Sequence, residues 1–229
     1  MRETIKKLQP DSESRDKADK IFHLLDENSP EEISFLQYRS SFELLISVIL
    51  SAQTTDRQVM EVTPQLFRRY PDPRSLAEGS PDDIMRIIKP VGFYRVKALN
   101  IKKTAAAIIR DFNGTVPDTI EQLITLPGVG RKSANVITGA VFGKPAVIVD
   151  THFSRVVRRL GLTDQVNPDK IEAEIAEIID PGKQYRFSMT VNLHGRKTCH
   201  ARKPLCSSCF LAPHCLYAIL AGNQHLISS

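Results

Sequence analysis

Four cysteines, Cys199, Cys206, Cys209 and Cys215, fall within 17 residues in the order C-x6-C-x2-C-x5-C, and the chain has no others. Thiolates so close in sequence can converge on one centre, which is metal chemistry, whereas scattered cysteines serve as small core residues. A disulfide framework belongs to short secreted domains, and nothing in this sequence directs export. The spacing leaves the metal open. Structural zinc usually takes two separated C-x2-C pairs, while here one C-x2-C carries a longer arm on each side, and an iron–sulfur cluster also takes four cysteine thiolates.

A second chemical candidate is the turn Leu126-Pro127-Gly128-Val129-Gly130-Arg131-Lys132, followed by helical residues Ala134, Val136 and Ile137. Two glycines one residue apart open backbone angles closed to other residues, so the turn can be tight with its N–H groups outward. At a helix start such donors and the helix dipole favour a phosphate without needing a basic side chain. The plain alternative is a connector between two helices. Asp150, between the apolar run Ala146–Val149 and Thr151-His152, reads as the N-cap of a helix that ends at Gly161.

Helices must position these groups. Ser40-x-x-Glu43 is a capping box ahead of Phe42, Leu44, Leu45, Ile46, Val48, Ile49 and Leu50, a run apolar on nearly every side and so a buried helix. Ser80-Pro81 with Asp83 opens a helix that Pro90 stops. Ile101, Ala105, Ile108, Ile109 and Phe112 repeat at helical spacing before Asn113-Gly114, and Asn167-Pro168 opens a helix bearing Ile171, Ile175, Ile178 and Ile179. No alternating run demands a sheet, so the expected fold is all-α. Ala146–Val149 is too short to classify, and no linker marks a domain boundary.

The length suits one large or two small domains, and 41% apolar residues is ordinary for a globular protein. Met1 to Lys20 is charged and polar, and no apolar run reaches the roughly 18 residues of a membrane span, which points to a reducing, cytosolic setting. Residues 1–125 carry 18 basic and 19 acidic side chains, residues 126–229 carry 13 and 7. The net +5 therefore lies in the second half, a mild pointer to a polyanion or simply a solvated basic surface.

Taken in order, the hairpin residues Leu126–Lys132, then Val149-Asp150-Thr151-His152 with Arg155, then Leu193-His194-Gly195-Arg196 running into the cysteine quartet, resemble the endonuclease III family of DNA repair glycosylases. Leu50-Ser51-Ala52-Gln53-Thr54-Thr55-Asp56 and Val91-Gly92-Phe93-Tyr94 match as well, so the likeness runs from about residue 38 to 217. The resemblance implies two helical domains with a DNA-binding cleft between them. One, residues 34–145, is a six-helix domain with the helix–hairpin–helix; the other, 1–33 plus 146–229, holds a [4Fe-4S] cluster on the four cysteines. It further implies a bifunctional glycosylase and abasic-site lyase of base excision repair, acting as a cytoplasmic monomer, nucleoid-associated in a bacterium. The partner is double-stranded DNA with damaged bases, chiefly oxidised pyrimidines, or abasic sites.

By that resemblance Lys132 is the amine that attacks the sugar C1′ and forms a Schiff base. A lysine's ordinary pKa of roughly 10.4 leaves little neutral amine near neutrality, so the helix N-terminus, partial burial and neighbouring Arg131 are expected to disfavour the charged form. Asp150 assists the attack and stabilises positive charge on the sugar. Gln53 and Phe93 enter the duplex, one for the orphaned base and one as an apolar wedge, although a core phenylalanine is the bland reading of Phe93. Gly128, Gly130 and Arg131 face the backbone, as do Arg196, Arg202 and Lys203 around a cluster-pinned loop. Asp56 is expected to be a structural helix cap, and His152 and His194 structural or DNA-positioning residues. A mismatch-specific adenine glycosylase is the nearest rival; such relatives lack a lysine at position 132 and carry a glutamate where Val48 stands. Thymine-mismatch, alkylated-base and pyrimidine-dimer glycosylases, a non-enzymatic binder, an electron carrier and a zinc module are the remaining alternatives.

Overall fold

The apolar run after Ser40 folds as helix α2 (Ser41–Ser51), with every residue from Phe42 to Leu50 buried. It lies in one of two compact units into which the computed structural model divides: Ser34–Gly143, and the paired segments Met1–Ile33 and Lys144–Ser229. The structure describes residues 12–227, so Met1 to Asp11 of the polar N-terminal stretch lie outside it. Among the described residues there are helices and no strand.

In the Ser34–Gly143 unit, α2 packs against α3 (Asp56–Arg69), α6 (Tyr94–Phe112) and α8 (Arg131–Phe142), while α4 (Pro73–Glu78) and α5 (Pro81–Ile87) lie on α6. The single-turn α7 (Ile120–Leu123) precedes α8. Burying a leucine or isoleucine contributes about 1.5–3 kcal/mol, so this helix anchors the unit; Leu45→Ala, at a fully buried position, should cost about 2–5 kcal/mol.

Helix ends follow the local chemistry, with two corrections. Ser40 Oγ accepts from Glu43 N at 3.1 Å, but the Glu43 carboxylate does not return to the cap. It takes the Arg39 backbone N–H at 2.8 Å and its guanidinium at 3.0 Å, so the expected box is half made. Asp56 is the first residue of α3 and not its cap; Thr55 caps, in a reciprocal box with Gln58. The end of α6 is as expected, with Asn113 (φ 52°) and Gly114 (φ 81°) left-handed and Gly114 N donating to Ile108 O at 3.0 Å.

The second unit contains α1 (Ser12–Glu27), α9 (Thr151–Leu160), α10 (Pro168–Ile178), α11 (Gln184–Lys197) and α12 (Leu216–Ile227). α11 packs on α9 and α1, and Phe153 meets Phe187 edge-on at 6.0 Å in the centre of its core. The unclassified run Ala146–Val149 is buried irregular chain, with Ile148 N donating to Ser188 Oγ at 3.0 Å. Gly161, at φ 74°, ends α9 as expected. No helix among the described residues is long and apolar enough to cross a membrane.

Candidate active site and metal centre

The hairpin is built from apolar anchors at its feet and glycine at its tip. Leu126 and Val129 are buried, Val129 N donates to Leu126 O at 3.1 Å, and Thr104 Oγ1 donates to Pro127 O at 2.7 Å. Gly128 has φ 81°, and a Cβ there would lie 3.2 Å from both Ile49 and Asn100. Gly130 differs: it caps α8 at φ −97°, which any residue adopts, and a Cβ would meet nothing within 4 Å. Its missing side chain leaves open space at the start of α8, where an anion can approach the backbone donors. Arg131 and Lys132 follow as the first two residues of α8, both exposed. The partial burial expected of Lys132 is therefore absent, because only the face of α8 bearing Ala134, Asn135 and Ile137 turns into the core.

Gln53 and Phe93 stand at two loop tips of the same unit, exposed and in left-handed backbone conformation, φ 52° and 57°. Phe93 is 68% exposed, which removes the core reading of that residue. The loops are joined: Gln58 Nε2 donates to Pro90 O at 3.2 Å, and a Cβ on Gly92 would lie 3.4 Å from Gln53 O. A residue that sequence reasoning missed holds the Gln53 loop. Lys97, 5% exposed, donates from Nζ to Leu50 O (2.8 Å), Ala52 O (2.5 Å) and Thr54 Oγ1 (2.7 Å), spanning Gln53 on both sides. Burial lowers its pKa from the usual lysine range. The available signal was its place one turn before Ile101 on the mostly apolar buried face of α6.

Asp150 caps α9 as expected, Oδ1 accepting from Phe153 N at 2.8 Å. Its Oδ2 accepts from Asn192 Nδ2 on α11. Arg196, expected at the DNA backbone, is exposed but donates from Nε to Asn192 Oδ1 at 2.8 Å. Lys132 and Asp150 belong to different units.

None of the four cysteines is in a disulfide, and all four line one small apolar pocket, walled also by Val156, Leu160, Leu205 and Leu211. Four cysteine thiolates are the ligand set that a [4Fe-4S] cluster takes. Burial, with repulsion from the neighbouring thiolates added, pushes the Cys209 and Cys215 thiols up, a penalty that a cationic iron–sulfur core relieves. The donor set and its surroundings thus fit the cluster. His194 is buried beside the quartet: burial pulls its imidazole down to about 4, Nε2 lies 3.6 Å from Cys209 Sγ, and its ring meets Phe210 at 5.3 Å.

Two arginines of α9, neither singled out as a support for the quartet, brace this region. Arg155 donates to Cys199 O at 3.0 Å and Gly195 O at 2.9 Å, and to His152 Nδ1 across 3.1 Å. Arg159 donates to His200 O at 2.7 Å, Ala201 O at 3.1 Å and Cys199 Sγ at 3.3 Å. They fix the arm that carries Arg202 and Lys203, both exposed, with Lys203 left-handed at φ 52°.

Comparison with known proteins bears on this arrangement. Residues 46–181 match the family described as HhH-GPD superfamily base excision DNA repair protein, and residues 199–215 match the iron–sulfur binding domain of endonuclease III. Endonuclease III of Synechocystis sp. is 44% identical over 202 residues, 88% of this chain and 92% of its own. That of Escherichia coli K12 is 39% identical over 197 residues, 86% and 93% of the two chains. Among solved structures, a trapped endonuclease III–DNA covalent intermediate matches with a TM-score of 0.85 at 35% identity, over 91% of this chain and 98% of that one. A thermostable thymine-DNA glycosylase matches at 0.81 and 24% identity over the same shares, a likeness of fold.

Proposed function

The chain belongs to the endonuclease III family and is a bifunctional DNA glycosylase and abasic-site lyase with a [4Fe-4S] cluster; we propose that Lys132 supplies its nucleophile and Asp150 the assisting carboxylate. The observation that carries this reading is the place of Lys132: second residue of α8, straight after the glycine turn, in a chain similar to one caught covalently bound to DNA. The neutral amine attacks C1′ as the glycosidic bond breaks, and the base departs with the bonding electrons. The amine then gives up a proton, the sugar ring opens to a protonated Schiff base, and loss of a C2′ proton expels the 3′ phosphate as the C3′–O bond breaks. The Asp150 anion stabilises positive charge on the sugar while this proceeds.

Backbone donors at Gly128 and Gly130, with Arg131, hold a phosphate on one strand. Gln53 fills the place of an extruded base and Phe93 wedges the stack, their exposed left-handed tips presenting both side chains outward. Cys199, Cys206, Cys209 and Cys215 hold the cluster, whose contribution when bound is to tie four points of the arm together. Arg196, Arg202 and Lys203 then meet DNA phosphates with no base preference. The enzyme works as a monomer in the cytoplasm, without a membrane, on duplex DNA bearing oxidised pyrimidines or abasic sites.

Lys132→Gln should retain duplex binding yet lower the borohydride-trapped covalent complex by on the order of 10⁴-fold. Undiminished trapping would remove the Schiff-base mechanism. Duplexes carrying an oxidised pyrimidine, an abasic site or a mismatched adenine or thymine, each scored for base loss and strand cleavage, test the substrate; preferred release of a mismatched base would overturn it.

A further inference from the structure

Capping α9 occupies one oxygen of Asp150, and the other oxygen has a dedicated partner. Asn192, on α11 and 6% exposed, donates from Nδ2 to Asp150 Oδ2 across 42 residues of sequence. One turn further, Arg196 Nε donates to Asn192 Oδ1 at 2.8 Å. An arginine only donates, so the Asn192 carbonyl oxygen must face it, and the amide NH₂ is thereby aimed at the carboxylate. The relay runs from guanidinium to amide to carboxylate with every role fixed. We infer that Asn192 is a positioning residue for base release, locking the rotation of the Asp150 carboxylate; this rests on the catalytic reading of Asp150.

The choice of an amide matters for what Asp150 has to do. A lysine or arginine at position 192 would hold the carboxylate equally well but would neutralise the charge that the sugar cation needs. A neutral donor fixes the geometry and leaves the negative charge available. With an apolar residue at 192 the backbone N–H of Phe153 would still bind Oδ1, yet Oδ2 could swing away. The rival explanation is that Asn192 merely joins α11 to the start of α9, a structural role that would act with or without the Asp150 charge.

A double-mutant cycle separates the two. Single-turnover base release from a duplex with an oxidised pyrimidine is measured for the holoenzyme, Asn192→Leu, Asp150→Asn and the pair, beside affinity for a duplex holding a tetrahydrofuran abasic analogue. Asn192→Leu should slow release roughly 10- to 100-fold with affinity within about twofold, and should add nothing in the Asp150→Asn background. Asn192→Asp, nearly equal in size, sets an acceptor against Oδ2 and should be at least as slow; it carries the test should the leucine variant not fold. Equal losses in both backgrounds, or normal release in the folded Asn192 variants beside a slowed Asp150→Asn, overturn the positioning role alone. Normal release in Asp150→Asn overturns the catalytic reading of Asp150, and the positioning role with it.

Discussion

The glycine hairpin at Leu126–Gly130 and the arm between Cys199 and Cys206 are the two loops proposed to meet the DNA backbone, and they are held in different ways. The hairpin is held mainly by apolar contact, with one polar tie from Thr104 to Pro127 O: Leu126 and Val129 are buried, and Gly128 sits against Ile49 of the most buried helix in its unit. The arm has exposed residues from Ala201 to Lys203 and leans on polar supports, Leu205 N to Thr198 O at 3.1 Å and the Arg159 guanidinium. One loop is rigid because the core is, whereas the other depends on four thiols sharing a cationic centre. A backbone anion site can rest on a packed core, whereas the surface cations of the arm rest on polar ties and on the thiolates.

The largest expected effect removes one of those thiolates. Cys209→Ala should lower cluster occupancy by on the order of 100-fold, read as iron per chain and visible absorbance, and weaken DNA binding with it. Retained affinity in the iron-free variant would erase the contrast. Next is Gly128→Ala, which meets a positive φ and two neighbours at 3.2 Å. It should destabilise the Ser34–Gly143 unit by about 1–3 kcal/mol in urea unfolding while the iron content stays whole. The paired change Arg202→Gln with Lys203→Gln should weaken binding to every duplex about tenfold and reduce the salt slope by about 1 per charge removed; an unchanged slope would return the arm to solvated surface. Smallest is Gly130→Ala. Its stability should move by under about 0.5 kcal/mol, yet affinity should drop about threefold, since the new methyl fills the space left for phosphate. Unaltered binding there would leave the hairpin a plain connector.

What the sequence made legible was whatever is local. Caps, breaks and the buried face of α2 lie within a few residues of each other, so Ser40, Asn113-Gly114, Asp150 and Gly161 mark their helix ends correctly. Glu43 misled because two partners compete for one carboxylate, and Arg39 offers both an N–H and a charge. The quartet and the hairpin were readable because their residues are contiguous. Lys97 and Asn192 were not, since their partners lie more than 40 residues away and a polar residue on a buried face does not name what it bonds. The exposure of Lys132 escaped for a similar reason: the glycine turn sets where α8 begins, but the packing of α8 decides which of its first residues face solvent.

The interrupted unit has a consequence for how the chain comes to be folded. Arg186 on α11 donates to Asp26 Oδ1 at 2.6 Å and to the carbonyls of Glu31 and Pro30 at 2.8 Å, and Phe187 lies 6.5 Å from Phe22 on α1. The Arg186–Asp26 pair spans 160 residues of sequence. On the ribosome α1 emerges long before α10 and α11, on which it packs, while everything that α2 through α8 need from one another is already outside by then. The half that bears the glycine turn can therefore be complete before the residues that gather the four thiols have been made, so the insertion of iron follows the folding of that half by the order of the chain itself.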